Sequence, residues 1–257
     1  MEFDNKTVLV TGAAGAIGKG IAAEFANNGA KTFITDINQE AVDAAAEEIG
    51  NNCAGLAADV TQEDQVKKVV AAATDAMGGK VDVLINVAGI VGQGKVEDIA
   101  VEDWDKMFAV NCRGTFLFIK HVVPLMKANK FGKIINFSSK SGKTGSALMC
   151  HYSSAKAAII GLTQALAFEL AGDNIMVNCV CPGIVESTGV WDNVSAGYIK
   201  NLKLPEAEVV KKFTAKVPLA RLARIGDVVA VTRFLASEGS DYMTGQAINI
   251  TGGREMH

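Results

Sequence analysis

The chain has 257 residues and a mass of 26.9 kDa, long for a stapled mini-protein and short for two full-sized domains. Hydrophobic residues are 49% and charged residues 21%, ample for a core and incompatible with a disordered chain. A net charge of −3 without a basic block, and aromatics at only 6%, argue against a nucleic-acid surface.

The first six residues run straight into a strand-like segment with no charged n-region, apolar h-region or cleavage site, so no leader is expected. In chain order the text predicts a strand at 7–10, a helix at 16–28, a strand at 32–35, a helix at 39–49 and a weak strand near 55–58. A helix at 62–77, a strand at 81–85, a helix at 102–128 and a strand at 133–137 follow. The series closes with a helix at 153–171, a strand at 175–180 and a last strand near 247–250. The strands are continuously apolar and do not alternate, which means a parallel sheet covered on both faces. Right-handed crossovers then give an α/β, Rossmann-like doubly wound sheet of about seven strands. One domain over 1–257 is expected, with two small ones left open. The rhythm breaks at 183–205, which contains Trp191, Gly197, Tyr198 and Pro205; a substrate loop is expected around 183–213.

The Lys pairs at 67–68 and 211–212 read as solvated helix faces. No run reaches 18 uninterrupted apolar residues, so no membrane span is expected. Cys53, Cys112, Cys150, Cys179 and Cys181 are odd in number and sit among small apolar neighbours, as reduced thiols of a cytoplasmic protein would. With His121, His151 and His257 they make no metal-ligand pattern, and no metal is expected.

Strand one runs into Thr11-Gly12-Ala13-Ala14-Gly15-Ala16-Ile17-Gly18 and directly into a helix. Small residues allow a tight turn and close approach to a pyrophosphate, whose charge a helix N-terminus favours. Asp36 follows the second strand, where a carboxylate can hold an adenosine ribose diol; the plain alternative is a cap for the next helix. Asp36 would repel a 2′-phosphate and no Arg or Lys occupies 13–17 or 37–38, so NAD is expected over NADP. Tyr152 and Lys156 lie one turn apart at the start of an apolar helix, hence on one face. A neighbouring cation favours the phenolate, which lowers the pKa of a phenol and makes it a general acid/base near neutrality. A Tyr–Lys pair alone is common on surfaces, but Ser138-Ser139 ends the preceding strand, where open parallel sheets bind ligands.

On these residues the whole chain resembles the compact branch of the short-chain dehydrogenase/reductase family. Thr11, Gly12, Ile17 and Gly18 match its glycine motif, with Ala16 in place of the middle glycine and Gly15 beside it. The resemblance implies that Asp36 with Ile37, Asp59-Val60, and Asn86, Ala88 and Gly89 bind cofactor; Val87 replaces a family asparagine. It implies the same of Pro182, Gly183 and Val185, with Ser187 or Thr188 supplying a hydroxyl to the carboxamide. Asn111, Ser139, Tyr152 and Lys156 match the catalytic set, Asn111 holding a water-linked relay to Lys156. Gly12, Gly15 and Gly18 also satisfy the pattern of the extended branch with its sugar epimerases, which the short length disfavours.

The implied reaction is hydride transfer between a nicotinamide and a secondary alcohol or ketone. Val91, Gln93, Lys140, Ser141, Lys143, His151, Ile184 and Trp191 are candidates to face the substrate. Gln93, Ser141 and His151 suit a hydroxylated compound, while Lys140 and Lys143 suit a phosphate or carboxylate. Ser139-Lys140-Ser141-Gly142-Lys143 and the closing Asn249-Ile250-Thr251-Gly252-Gly253 resemble bacterial polyol dehydrogenases of the sorbitol and sorbitol-6-phosphate type. Acetoin or butanediol, 3-oxoacyl chains and hydroxysteroids remain alternatives, as does a catalytically idle NAD-binding sensor or scaffold. The resemblance also implies a homotetramer built on 102–128, 153–171 and the C-terminal segment. The face Ala157, Ala158, Ile159, Gly161, Leu162, Ala165, Leu166 and Phe168 suits such packing, with internal core as the alternative.

Overall fold

The computed structural model describes residues 1–50, 52–189, 191 and 205–257. Gly197 and Tyr198, with the rest of the expected substrate loop at 190 and 192–204, lie outside the described residues. Seven strands, β1 (Thr7–Thr11), β2 (Lys31–Thr35), β3 (Cys53–Gly55), β4 (Val83–Asn86), β5 (Gly132–Phe137), β6 (Ile175–Pro182) and β7 (Ala247–Ile250), form one parallel sheet. Their order is β3-β2-β1-β4-β5-β6-β7, so the winding reverses between β1 and β4. In such a sheet the crevice at the carboxyl ends beside the reversal is the ligand site.

Alternate residues of the central strands feed two cores. Val8, Val10, Ile34, Ile85, Ile135 and Val180 pack under α1 (Ala16–Asn27), α2 (Gln39–Ile49) and a C-terminal helix. Leu9, Phe33, Leu84, Ile134 and Val177 pack under α3 (Glu63–Met77), α5 (Thr115–Asn129) and α7 (Cys150–Leu170). Both faces are therefore buried, as the continuously apolar strands require.

Four sequence expectations shift. The weak strand lies at Cys53–Gly55, upstream of 55–58, although Leu56 N and Ala58 N still donate to Ile34 O (3.2 Å) and Asp36 O (2.8 Å) beside β2. The single helix expected at 102–128 divides into α4 (Val101–Phe108), a π-helical turn Ala109–Gly114 and α5. The last long helix begins at Cys150, because nothing at 150–152 interrupts helical backbone, and so includes Tyr152 from its first turn. Among the described residues, α6 (Lys140–Thr144) and α9 (Ile225–Ala236) went unpredicted, while α8 (Glu206–Thr214) takes in the helix face expected at 211–212. For α9 the signal was present: Asp227 accepts from Arg224 N at 2.7 Å as a capping residue, and Val228, Thr232 and Leu235 follow at helical spacing.

By length and composition the segment Cys150–Asp173 is apolar enough to cross a membrane, which counting uninterrupted runs did not reveal. Here it lies on the sheet, burying Ala155, Lys156, Ile159, Thr163, Ala167 and Leu170. Ile159 thus belongs to the chain's own core and not to the outer face expected of it, and Leu162 and Leu166 are half-buried against that core.

Gly12 brings the β1 and β4 ends together. Its φ is +67°, and a Cβ there would meet Ala88 N at 2.6 Å. Gly15, at φ −76°, would meet nothing closer than Gly12 O at 3.4 Å. Gly12→Ala should therefore cost at least about 2 kcal/mol in urea unfolding, and Gly15→Ala under about 1 kcal/mol.

Candidate active site

The dinucleotide end of the crevice is built from backbone. Gly15 precedes α1 in extended conformation with no side-chain cap, which leaves first-turn N–H groups for an anion. Asp36, just beyond β2, accepts from Ala14 N at 3.0 Å and Ile37 N at 2.7 Å, so its carboxylate is fixed beside the glycine turn. It does not cap α2: Asn38 does, accepting from Ala41 N at 2.9 Å. Ile37 is 72% exposed. Asp59 accepts from Thr61 N and Thr61 Oγ1, and Val60 is buried, its methyl directly over Gly114. Gly18 packs on the Gly12 carbonyl, and Ala16 and Ile17 begin α1 beside it. Ala88 N donates to Thr11 Oγ1 at 3.2 Å. Asn86 faces inward, donating to Asn136 Oδ1 at 2.9 Å, while Asn136 donates to Thr163 Oγ1 at 3.0 Å. Its amide therefore ties strands together instead of opening to the crevice.

The reactive end gathers Asn111, Ser139, Tyr152 and Lys156. Lys156 is 5% exposed and donates to Phe137 O at 2.8 Å, where β5 ends. Among the described residues it has no carboxylate partner, and burial pushes its ammonium down to about 8. Its Nζ lies 5.9 Å from the Tyr152 ring centroid. Burial pushes the Tyr152 phenol up, and a hydrogen bond with Ser139 pulls it back. Ser139 caps α6, accepting from Ser141 N at 3.1 Å, whereas Ser138 is buried and donates to Lys156 O at 2.7 Å. The two serines are thus told apart: one faces the cleft, the other locks α7 to β5.

Asn111 sits in the π-helical turn. Its Nδ2 donates to Ile90 O (3.0 Å) and Met107 O (3.1 Å), and its buried Oδ1 has no partner. A Cβ on Gly89 would meet that Oδ1 at 2.5 Å and Lys156 Nζ at 3.2 Å. Only glycine leaves both polar atoms facing one small space, of the kind a bridging water fills.

Ser139 and Tyr152 open into a cleft of about 790 Å³. Val91, Lys140, Ser141, Pro182, Gly183, Ile184, Val185 and Trp191 line it as well. Gln93 and His151 do not. His151 is 3% exposed, with burial holding its imidazole below the usual range, and its Nε2 is packed against Gly92. Lys143 is also directed elsewhere, donating to Ala247 O at 2.6 Å. Thr188 is buried and its hydroxyl is committed, donating to Val185 O and accepting from Trp191 N, while Ser187 is exposed at φ +57°. The rest of the wall comes from Val209 and Phe213, within the expected substrate loop, from Asn249 of the closing segment, and from Lys216, Leu219 and Arg254, which the sequence did not single out. Trp191 meets Phe213 edge-on at 6.4 Å between ring centroids. No local motif marks Lys216, Leu219 or Arg254, because the segments after α8 and after β7 reach the cleft only through tertiary packing.

A glycine turn leading into the uncapped start of α1, at the β1/β4 reversal, and a Tyr–Lys–Ser set beyond β5 thus lie at the carboxyl ends of one parallel sheet. The family model described as short chain dehydrogenase matches residues 6–198, and the chain belongs to that family. It is 37% identical over 257 residues to a sorbitol dehydrogenase of Cereibacter sphaeroides, covering 100% of both chains. It is equally 37% identical to a galactitol 2-dehydrogenase of Agrobacterium fabrum, again over 100% of each. Among solved structures it superposes on a variant of actinorhodin polyketide ketoreductase with NADPH at TM-score 0.94 and 32% identity, covering 98% of each chain.

Lys156 has a measurable cost. The folded protein holds its proton less tightly than an unfolded lysine does, about 8 against 10.5, so unfolding takes up a proton between those values. Stability therefore climbs as pH rises from 8 towards 10.5, and the full burial penalty stands below 8. Without cofactor, Lys156→Met should be more stable than wild type by about 1–3 kcal/mol at pH 7, with the gap narrowing towards pH 10. Urea unfolding across that range reads it; a gap independent of pH would contradict it.

Proposed function

We propose that the protein is an NAD-dependent dehydrogenase that interconverts a secondary alcohol and its ketone on a polyol or sugar derivative. The observation that carries the reaction is the placement of Tyr152 and Ser139 together on the cleft, beside a buried ammonium that has no carboxylate partner among the described residues. The residues of the crevice fit a nicotinamide dinucleotide. Uncapped amides at α1 suit the pyrophosphate, the fixed Asp36 carboxylate suits an unphosphorylated ribose diol, and Lys156 would hold the hydroxyls of the second ribose. When bound, that cofactor supplies hydride acceptance and donation.

The chain's own residues handle the proton. Ser139 holds the reacting oxygen, and Tyr152 removes the hydroxyl proton in oxidation and returns it in reduction. Lys156 favours the phenolate by its charge, and the unpartnered Asn111 Oδ1 holds a water between Lys156 and the interior. Asp36 supports NAD because a 2′-phosphate would meet its carboxylate; the structural neighbour carries NADPH, so the preference needs direct measurement. The polyol reading rests on the sorbitol and galactitol dehydrogenases, similar along their whole length. A second reading, a hydroxy or oxo acid with an apolar body, is favoured by the Trp191, Val209, Phe213 and Leu219 walls.

We also propose a homotetramer and a cytoplasmic setting for a single domain. On α7, Ala157, Ala158, Gly161, Ala165 and Phe168 remain exposed, Phe168 at 89%, and such a small-residue face suits close packing of a second copy. The five cysteines are all unpaired.

Steady-state rates on polyols and hydroxy acids with each cofactor test the reading. Wild type should prefer NAD in kcat/KM. Tyr152→Phe should lose at least about a hundredfold in turnover while still binding NAD. Undiminished turnover in that variant would overturn the assignment.

A further inference from the structure

One wall of the cleft carries an excess of positive charge that the proton-transfer residues do not use. Lys140, Lys216 and Arg254 all line the cleft. One carboxylate serves two of them: Glu255 Oε1 lies 3.3 Å from Arg254 Nε and 3.7 Å from Lys140 Nζ. Glu255 is itself 9% exposed, held by a C-terminal turn in which Thr251 Oγ1 and Asn249 Nδ2 donate to its carbonyl. The ammonium of Lys140 is further satisfied by Gly145 O and Ser146 Oγ. The other two cations are not. Among the described residues, Lys216 has no ion pair, and the Nη atoms of Arg254 have no acceptor, its guanidinium lying 5.9 Å from the Phe213 ring. Lys140 responds to this crowd: burial first, then Arg254, and more weakly Lys216, hold its ammonium below the usual lysine range.

Among the described residues, the remaining charges on the wall cancel. Arg221 and Asp227 form a bidentate pair at 2.6 and 2.9 Å. Three cations against one carboxylate therefore leave this wall positive. A guanidinium fork whose outer nitrogens are free, next to an unpaired ammonium, matches the oxygens of a phosphate or carboxylate.

We propose that Arg254 and Lys216 form an anion subsite, so that the substrate is a secondary alcohol or ketone that bears a phosphate or carboxylate in addition to its reacting carbon. The proposal rests on the dehydrogenase reading for the position of that carbon, but its charge argument stands on the cleft alone. The mobile end of a neutral polyol would leave both cations unanswered, whereas either a phosphorylated polyol or a hydroxy acid answers them.

Binding measured by calorimetry on the NAD-loaded full chain tests it without relying on turnover. Two pairs of probes are titrated: a hexitol with its terminal phosphate ester, and the methyl ester of a short 3-hydroxy acid with the free acid. The expected result is that the anionic member of at least one pair binds at least about tenfold tighter at low salt, with the advantage shrinking as salt is raised. Lys216→Ala and Arg254→Gln should each remove most of that advantage and leave neutral affinity within about twofold. Lys216 is exposed and tolerates substitution, so a folding failure at Arg254 leaves the test intact. A preference confined to the phosphate pair assigns a phosphorylated polyol, and one confined to the acid pair assigns a hydroxy acid. Equal or undetectable binding of both members of both pairs, or an advantage that survives Lys216→Ala, overturns the subsite. Failure of the dehydrogenase reading would look different, as anion-selective binding with no NAD-dependent turnover of any alcohol.

Discussion

Lys156 Nζ reaches the Phe137 carbonyl at 2.8 Å, where β5 ends, and Ser138 Oγ returns a bond to the Lys156 carbonyl at 2.7 Å. These two bonds set α7 against the sheet at the level of the crevice. Everything that acts in the site takes its position from them: Tyr152 one turn earlier on the same helix, and Ser139 one residue beyond Ser138. A buried ammonium without a counter-charge is an expensive component, and burial has already weakened its hold on the proton. A fold keeps such a group where its charge has work to do, and in the proposed reaction the adjacent phenol is the group that gains from it.

The second constraint is geometric. Parallel strands that bury both faces can present polar chemistry only at their ends, and the reversal of winding between β1 and β4 opens the crevice there. Glycines at this edge act as spacers of defined size. Gly12 lets the β1 turn touch Ala88, and Gly89 leaves the space that Asn111 Oδ1 and Lys156 Nζ share. The same edge brings the far wall of the cleft into place, since β7 runs beside β6 and Ala223 pairs with Val185.

What could be read from sequence was what lies close together in it. The glycine turn and its helix, Asp36 after β2, and the Tyr152–Lys156 spacing are each contained within one supersecondary unit, so local pattern was enough. The sheet followed from the continuous apolar runs, and its one weak strand was misplaced by a few residues because Cys53–Gly55 carries little apolar signal. The π-helical turn around Asn111 left no mark, since Val101–Asn129 keeps helical spacing throughout. His151 and Gln93 were expected at the substrate because they neighbour site residues in sequence, but helical rotation turns His151 towards Gly92. Lys216 follows α8 and Arg254 follows β7, and nothing local links them to Tyr152.

The central claim is that Tyr152 acquires its acidity from the cations around it, and not from its own burial, which works in the opposite direction. The chain has three tyrosines, Tyr152, Tyr198 and Tyr242, so tyrosinate absorbance can be followed against pH with few overlapping signals. On adding oxidised NAD, one tyrosine should titrate lower by at least about one pH unit, and Tyr152→Phe should abolish that component. A titration that the cofactor leaves unchanged, or a shift that persists in Tyr152→Phe, would contradict the account.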